Sequence, residues 1–187
     1  MGSPADAVDR LKATYDWGGL AVQGWVYSHL DLDAQILDVG AGWGKYRDLL
    51  PDYENIDAVE IWDPYVEAES LAARYRQVYT MDVADMHPHL MGIYDVVIFG
   101  DVLEHLKQQD AFDVLDRCFQ ALVIVPFLFE QGEEQGNPYE AHLQPDLTMD
   151  VMERRYPMLR LEGVEIRDGH PFKGFYLKEG AWEREDG

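Results

Sequence analysis

The 187-residue sequence predicts an α/β fold: one doubly wound, mostly parallel sheet with helices on its faces and an antiparallel strand at its end. Three observations carry this. Apolar runs of strand length at 35–39, 56–61, 77–81, 94–101 and 121–126 alternate with helix-patterned stretches. The first run leads directly into three alternate glycines, Gly40, Gly42 and Gly44, and then into a helical segment from Lys45. Two last runs, 159–167 and 172–178, are joined by Asp168-Gly169-His170-Pro171 and read as a terminal strand pair.

Taken in order, residues 4–16 are amphipathic, with Ser3 placed as N-cap, and predict a first helix. Trp17-Gly18-Gly19 should interrupt it before a second helix over 20–30. Tyr15, Trp17 and Trp25 either lie over a ligand pocket or cover a sheet edge, and the edge is the expectation for Trp25. The strand at 35–39 delivers Asp38 to the glycine turn. A strand, a glycine turn and a helix N-terminus together form a nucleotide-sized socket at the carboxyl edge of a parallel sheet. The strand at 56–61 brings up Glu60, twenty residues after Gly40, where an acid accepts hydrogen bonds from a ribose. Ile61 and Trp62 offer an apolar face to an adenine, or else pack into the core. Asp63-Pro64 starts a helix that should run to about residue 74.

The third strand ends in Asp82-Val83-Ala84-Asp85, with Asp85 able to cap a short turn. His87-Pro88-His89 has too few ligands for a metal site and reads as surface histidines. The fourth run, continuous and apolar, is a buried parallel strand ending at Gly100 and Asp101. A helix over 109–120 should bury Cys118, and the fifth strand follows at 121–126. Residues 127–146 lack periodicity, and loops of this length in compact domains are usually functional or disordered. A helix over 146–156 and the strand pair complete the fold, with 179–187 as a loose tail. One domain is expected: helices over 1–34, a core over 35–178 and a substrate flap over 128–146.

Composition limits the function. Hydrophobic content of 47% belongs to a folded chain with a sizeable core. No apolar run reaches membrane-span length, no signal-peptide core is present, and Cys118 is the only cysteine. A cytoplasmic, disulfide-free protein with no membrane partner is the expectation. Fifteen basic against 36 acidic residues give a net charge of −21. Such a surface repels phosphate backbones, so nucleic acid is disfavoured as a partner. Solubility is the plainer reading of the charge. Oligomeric state is not legible.

The pattern Asp38-x-Gly40-x-Gly42-x-Gly44 resembles motif I of the class I, Rossmann-like, seven-stranded S-adenosylmethionine-dependent methyltransferases. A dinucleotide fold wants Gly-x-Gly-x-x-Gly, and Lys45 stands where its third glycine belongs. Asp101-Val102-Leu103-Glu104-His105-Leu106 resembles the segment after strand four in small-molecule members of that class. The resemblance implies S-adenosyl-L-methionine as cofactor. It implies binding by Asp38 (facing the ammonium), Gly40, Ala41, Gly42, Gly44, Glu60, Ile61, Trp62, Asp82, Val83, Gly100 and Asp101. His105 would face the acceptor as a base. Tyr139 and His142 of the flap would contact the acceptor.

Subclass signatures were compared with the residues. Asn/Asp-Pro-Pro-Tyr after strand four, a nucleophilic cysteine there, a second acid pair after strand five and a second loop glutamate are all missing. What remains is methyl transfer to an O or N atom of a small-molecule acceptor without a metal. A catalytically silent cofactor-binding or regulatory module, and a nucleotide-binding Rossmann oxidoreductase, are the alternatives.

Overall fold

A computed structural model describes residues 14–128 and 136–180. The predicted helix over 4–16 and its Ser3 cap, most of the long loop's first half and the end of the tail lie outside the described residues. Seven strands form one sheet: β1 (Ile36–Val39), β2 (Ile56–Glu60), β3 (Val78–Thr80), β4 (Val96–Gly100), β5 (Ala121–Pro126), β6 (Arg160–Arg167) and β7 (His170–Lys178). Their order is β3-β2-β1-β4-β5-β7-β6. The first five are parallel, and β7 runs antiparallel to both β5 and β6. The predicted doubly wound sheet with its terminal pair is therefore the observed one. Strand order reverses between β1 and β4, which opens a crevice at their carboxyl ends.

The central strands are buried on both faces because helices cover both, and side chains alternate between two cores. Leu37, Val39, Val97, Phe99, Val123 and Val125 pack on one side against Ala111, Val114 and Leu115 of α5 (Gln108–Arg117). Ile36, Ala58, Ile98, Leu122 and Ile124 pack on the other against Val22 and Val26 of α1 (Trp17–His29) and Leu49 of α2 (Lys45–Leu49). Midway along β2, the buried Asp57 is held by the Arg76 guanidinium at 2.7 and 2.8 Å and by the Tyr94 hydroxyl at 2.8 Å.

Helix boundaries depart from the reading in three places. Gly18 and Gly19 do not break a helix; they sit in the first turn of α1, capped by Asp16, which accepts from Gly19 N–H at 2.7 Å. A β-carbon on Gly18 would lie 2.8 Å from Ile124 Cγ2, and one on Gly19 2.6 Å from the Thr14 carbonyl. Gly18 is there for close approach to the sheet, and Gly19 for close approach to Thr14 and to Lys45 and Leu49 of α2. The helix after Asp63-Pro64 is only α3 (Asp63–Ala68), stopped by Ser70 in the left-handed region, with a 3₁₀ turn at Leu71–Ala73. Short α4 (Pro88–Met91) uses the proline of the His-Pro-His run in its first turn, and α6 (Met149–Arg155) precedes the terminal pair. That pair turns on two residues, Asp168 (φ 50°) and Gly169 (φ 80°), not four. Positive φ at both central positions is the twist-matched hairpin turn, and Pro171 is tolerated because the ladder bulges beside Ile166.

Candidate active site

Segments leaving the carboxyl ends of β1 to β5 surround a cavity of about 850 Å³, within the usual range for a small-ligand site. Gly40 to Trp43 line it after β1, Glu60 and Ile61 after β2, and Met81 to Val83 after β3. Gly100 to Val102 and Glu104 to Lys107 follow β4, and Asn137 to Leu143 form the far wall.

Two glycines of the first turn have different reasons for being glycine. Both have positive φ, 67° at Gly40 and 51° at Gly42. A β-carbon on Gly40 would lie 2.5 Å from Val102 Cγ2, so this position serves packing between two loops. A β-carbon on Gly42 would meet nothing nearer than the Gly40 carbonyl at 3.9 Å. Gly42 is bare toward the cavity and leaves room for a ligand.

Glu60 ties this turn to the next loop. Its Oε2 accepts from Gly42 N–H at 2.8 Å and its Oε1 from Trp62 N–H at 2.9 Å. Each carboxylate oxygen can accept more than one hydrogen bond, so lone pairs remain for hydroxyls entering the cavity. Burial raises the Glu60 pKa, and the Trp62 and Gly42 donors hold part of that rise back.

Opposite lies a ring of four charges. Lys45 bonds Asp16 at 2.8 Å and stands 4.0 Å from Asp101. Lys173 reaches Asp16 at 3.3 Å and Asp101 at 2.8 Å. Burial alone would raise Asp16, yet Lys45 and Lys173 outweigh it and its pKa is lowered. Burial would likewise depress Lys173, but Asp101 and Asp16 raise it. Asp101 itself has φ 56° and is anchored by its N–H on the Ile124 carbonyl.

Past this ring, the 3₁₀ turn Leu103–His105 meets the segment 141–144. Leu143 and Gln144 N–H donate to the Glu104 carbonyl at 2.8 and 3.0 Å, and Gln144 Nε2 donates to the Leu103 and Leu106 carbonyls. Through this clasp the His105 and His142 rings stand edge to face, 4.8 Å between centroids. Further along, Glu140 accepts from Asn137 Nδ2 at 2.9 Å and from the Tyr65 hydroxyl at 3.4 Å.

Of the residues expected at the site, Gly40, Ala41, Gly42, Glu60, Ile61, Asp82, Val83, Gly100, Asp101, His105, Tyr139 and His142 all line the one cavity. Three do not. Asp38 is 1% exposed and lies beneath the glycine turn, accepting from the Tyr75 hydroxyl at 2.5 Å; burial pushes its pKa up to about 7. Its side chain is not part of the cavity lining. Gly44 points away, where a β-carbon would strike the Arg74 guanidinium. Trp62 turns its ring edge to face with Tyr65, and Tyr65 reaches the cavity in its place. Asp82, not Asp85, caps the turn after β3, accepting from Ala84 N–H at 2.9 Å. Asp16, Lys45, Tyr65 and Lys173 were not foreseen. Lys45 alone had a local signal, its place at the start of the helix after the glycines.

Residues 37–123 match the family model described as a methyltransferase domain. No curated protein matches the sequence. Among solved structures, an S-adenosylmethionine-dependent methyltransferase from Clostridium acetobutylicum ATCC 824 is similar with a TM-score of 0.68 at 13% identity, over 94% of this chain and 97% of that one. The magnesium protoporphyrin IX methyltransferase of Synechocystis PCC 6803, with bound SAH, is similar with a TM-score of 0.61 at 14% identity, over 92% and 93%. The methyltransferase domain of bacterial CtHen1-C gives 0.62 at 18%, over 86% and 96%. At these identities the structural likeness is one of fold.

Proposed function

We propose that this chain, matched over residues 37–123 by a methyltransferase domain, is an S-adenosylmethionine-dependent enzyme that moves a methyl group to an oxygen or nitrogen of a small-molecule acceptor. The observation that carries this is Glu60, whose carboxylate bridges the Gly42 and Trp62 N–H groups at the wall of the cavity. An acid fixed by two backbone donors, beside a glycine that leaves ligand space, fits a ribose with no phosphate next to it. When bound, S-adenosylmethionine supplies a methyl group already activated on a sulfonium sulfur.

The chain's own residues have positioning work to do. Glu60 and the Gly42 turn hold the nucleoside end. The Lys45, Asp16, Lys173 and Asp101 ring sits where a zwitterionic amino-acid end finds both signs of charge. His105 stands at the acceptor end, and residues 136–146 act as the acceptor-binding flap, with Tyr139 and His142 as its contacts. The clasp of Gln144 on Leu103 and Leu106 supports that role by fixing the flap's return against the strand-four segment. Net charge of −21 supports a small acceptor over nucleic acid.

Incubation with methyl-labelled S-adenosylmethionine and fractionated metabolite pools tests the reading. Label appearing in a small-molecule fraction is expected. Tight cofactor binding with no transfer to any fraction would instead support a silent binding module.

A further inference from the structure

We propose that Glu104, His105 and His142 form a binding site for one divalent transition-metal ion at the acceptor end of the cavity. One ligand atom from each lies within 4.8 Å of the others. Tetrahedral donors about 2.1 Å from a single ion stand about 3.4 Å apart, so closing the set around an ion means drawing its widest pair together by about 1.4 Å.

Three features distinguish this group from an ordinary polar cluster. Glu104 is 2% exposed, yet its Oε2 has no hydrogen-bond partner. An orphaned carboxylate oxygen in so dry a place calls for a cation or a proton. His105 Nδ1 lies 3.3 Å from the Ala141 carbonyl, which can only accept. In the neutral ring the Nδ1 proton faces that carbonyl, and Nε2 stands 3.9 Å from Glu104 Oε1. Orientation of a histidine by a backbone carbonyl is the usual second shell of a metal ligand. The clasp of residues 143 and 144 on the Glu104 carbonyl then fixes His142 relative to the other two.

Two imidazoles and one carboxylate suit Mn²⁺, Fe²⁺, Co²⁺ or Zn²⁺ better than Mg²⁺ or Ca²⁺, which prefer oxygen ligands throughout. Three protein ligands leave coordination positions open to the cavity. The site thereby deepens the methyltransferase reading, on which this point rests, by favouring an oxygen acceptor. Such an ion would lower the pKa of an acceptor hydroxyl held on it, so that the proton would pass to water and the oxygen would be left as the nucleophile. The ion would then do the work expected of His105 as a base.

The test is calorimetric titration of chelator-treated protein with Mn²⁺ and Zn²⁺, alongside the visible absorption of Co²⁺. One equivalent should bind, with at least tenfold weaker affinity in Glu104→Gln and in His142→Ala, whose circular dichroism should be unchanged. His87→Asn removes the other close histidine pair, stacked at 5.3 Å, and should change nothing. Absence of binding, or binding lost through His87→Asn and kept in both site variants, overturns the proposal. S-adenosylmethionine is titrated in parallel. Cofactor binding without metal binding removes only the metal site, whereas metal binding without cofactor binding removes the methyltransferase reading.

Discussion

Replacing Glu60 by alanine should weaken S-adenosylmethionine binding about ten- to a hundred-fold. Hydrogen bonds to a charged acceptor contribute about 1.5–3 kcal/mol, and each 1.4 kcal/mol is about tenfold in affinity. The structure adds a second contribution, because the same carboxylate accepts from Gly42 and Trp62 N–H. Alanine releases both donors, so the turn that bounds the socket loosens as well. Glutamine is therefore no rescue. Its single oxygen can satisfy one backbone N–H, while its amide nitrogen meets the other donor to donor. Both variants should fall in the same range, with alanine at the weaker end. Isothermal titration calorimetry on folded protein measures this, with melting temperature as the control for local loosening. Unchanged affinity in a folded Glu60→Ala variant would refute the ribose assignment.

Three more outcomes follow from particular side chains. Gly42→Val should fold, since no protein atom blocks its β-carbon, although a β-branched residue at φ 51° costs about 1–3 kcal/mol; the ligand-induced rise in melting temperature should disappear. Asp38 holds a proton in the folded chain from its unfolded value of 3.8 up to about 7. The contribution of Asp38 to stability is therefore fully present below the unfolded pKa, is lost as pH rises through that window and is absent above it. Asp38→Asn should flatten the decline, seen in denaturant melts from pH 4 to 8, and leave cofactor affinity within a few-fold. Arg76→Met strips the buried Asp57 of two charged donors and leaves it only the Tyr94 hydroxyl. Urea unfolding should show a loss of about 3 kcal/mol.

The parallel sheet was legible because each central strand is a continuous apolar run, and the Asp-Gly turn marked the terminal hairpin. The glycine turn and Glu60 were legible because their chemistry is local: φ above zero, and an acid at a strand end. The helix break at Gly18-Gly19 was misread because glycine's second use, close approach, depends on Ile124 more than a hundred residues away. Distance in sequence likewise concealed the charge ring, in which Lys173 meets Asp16 across the whole chain. Asp38 looked like a ligand residue because the strand end points at the socket. Its side chain, however, follows the pleat beneath the turn to Tyr75. His105 and His142 stand apart in the sequence; the bonds of Leu143 and Gln144 to the strand-four segment bring His142 beside Glu104 and His105.

A crystal structure with S-adenosylhomocysteine bound is the most direct test of the central claim. The account predicts both ribose hydroxyls on Glu60, the nucleoside over the bare edge of Gly42 and the homocysteine end at the Lys45 and Asp101 ring. His105 and His142 should stay clear of it on the acceptor side. A nucleoside seated between those histidines, with Glu60 contacting only its two backbone donors, would contradict the account.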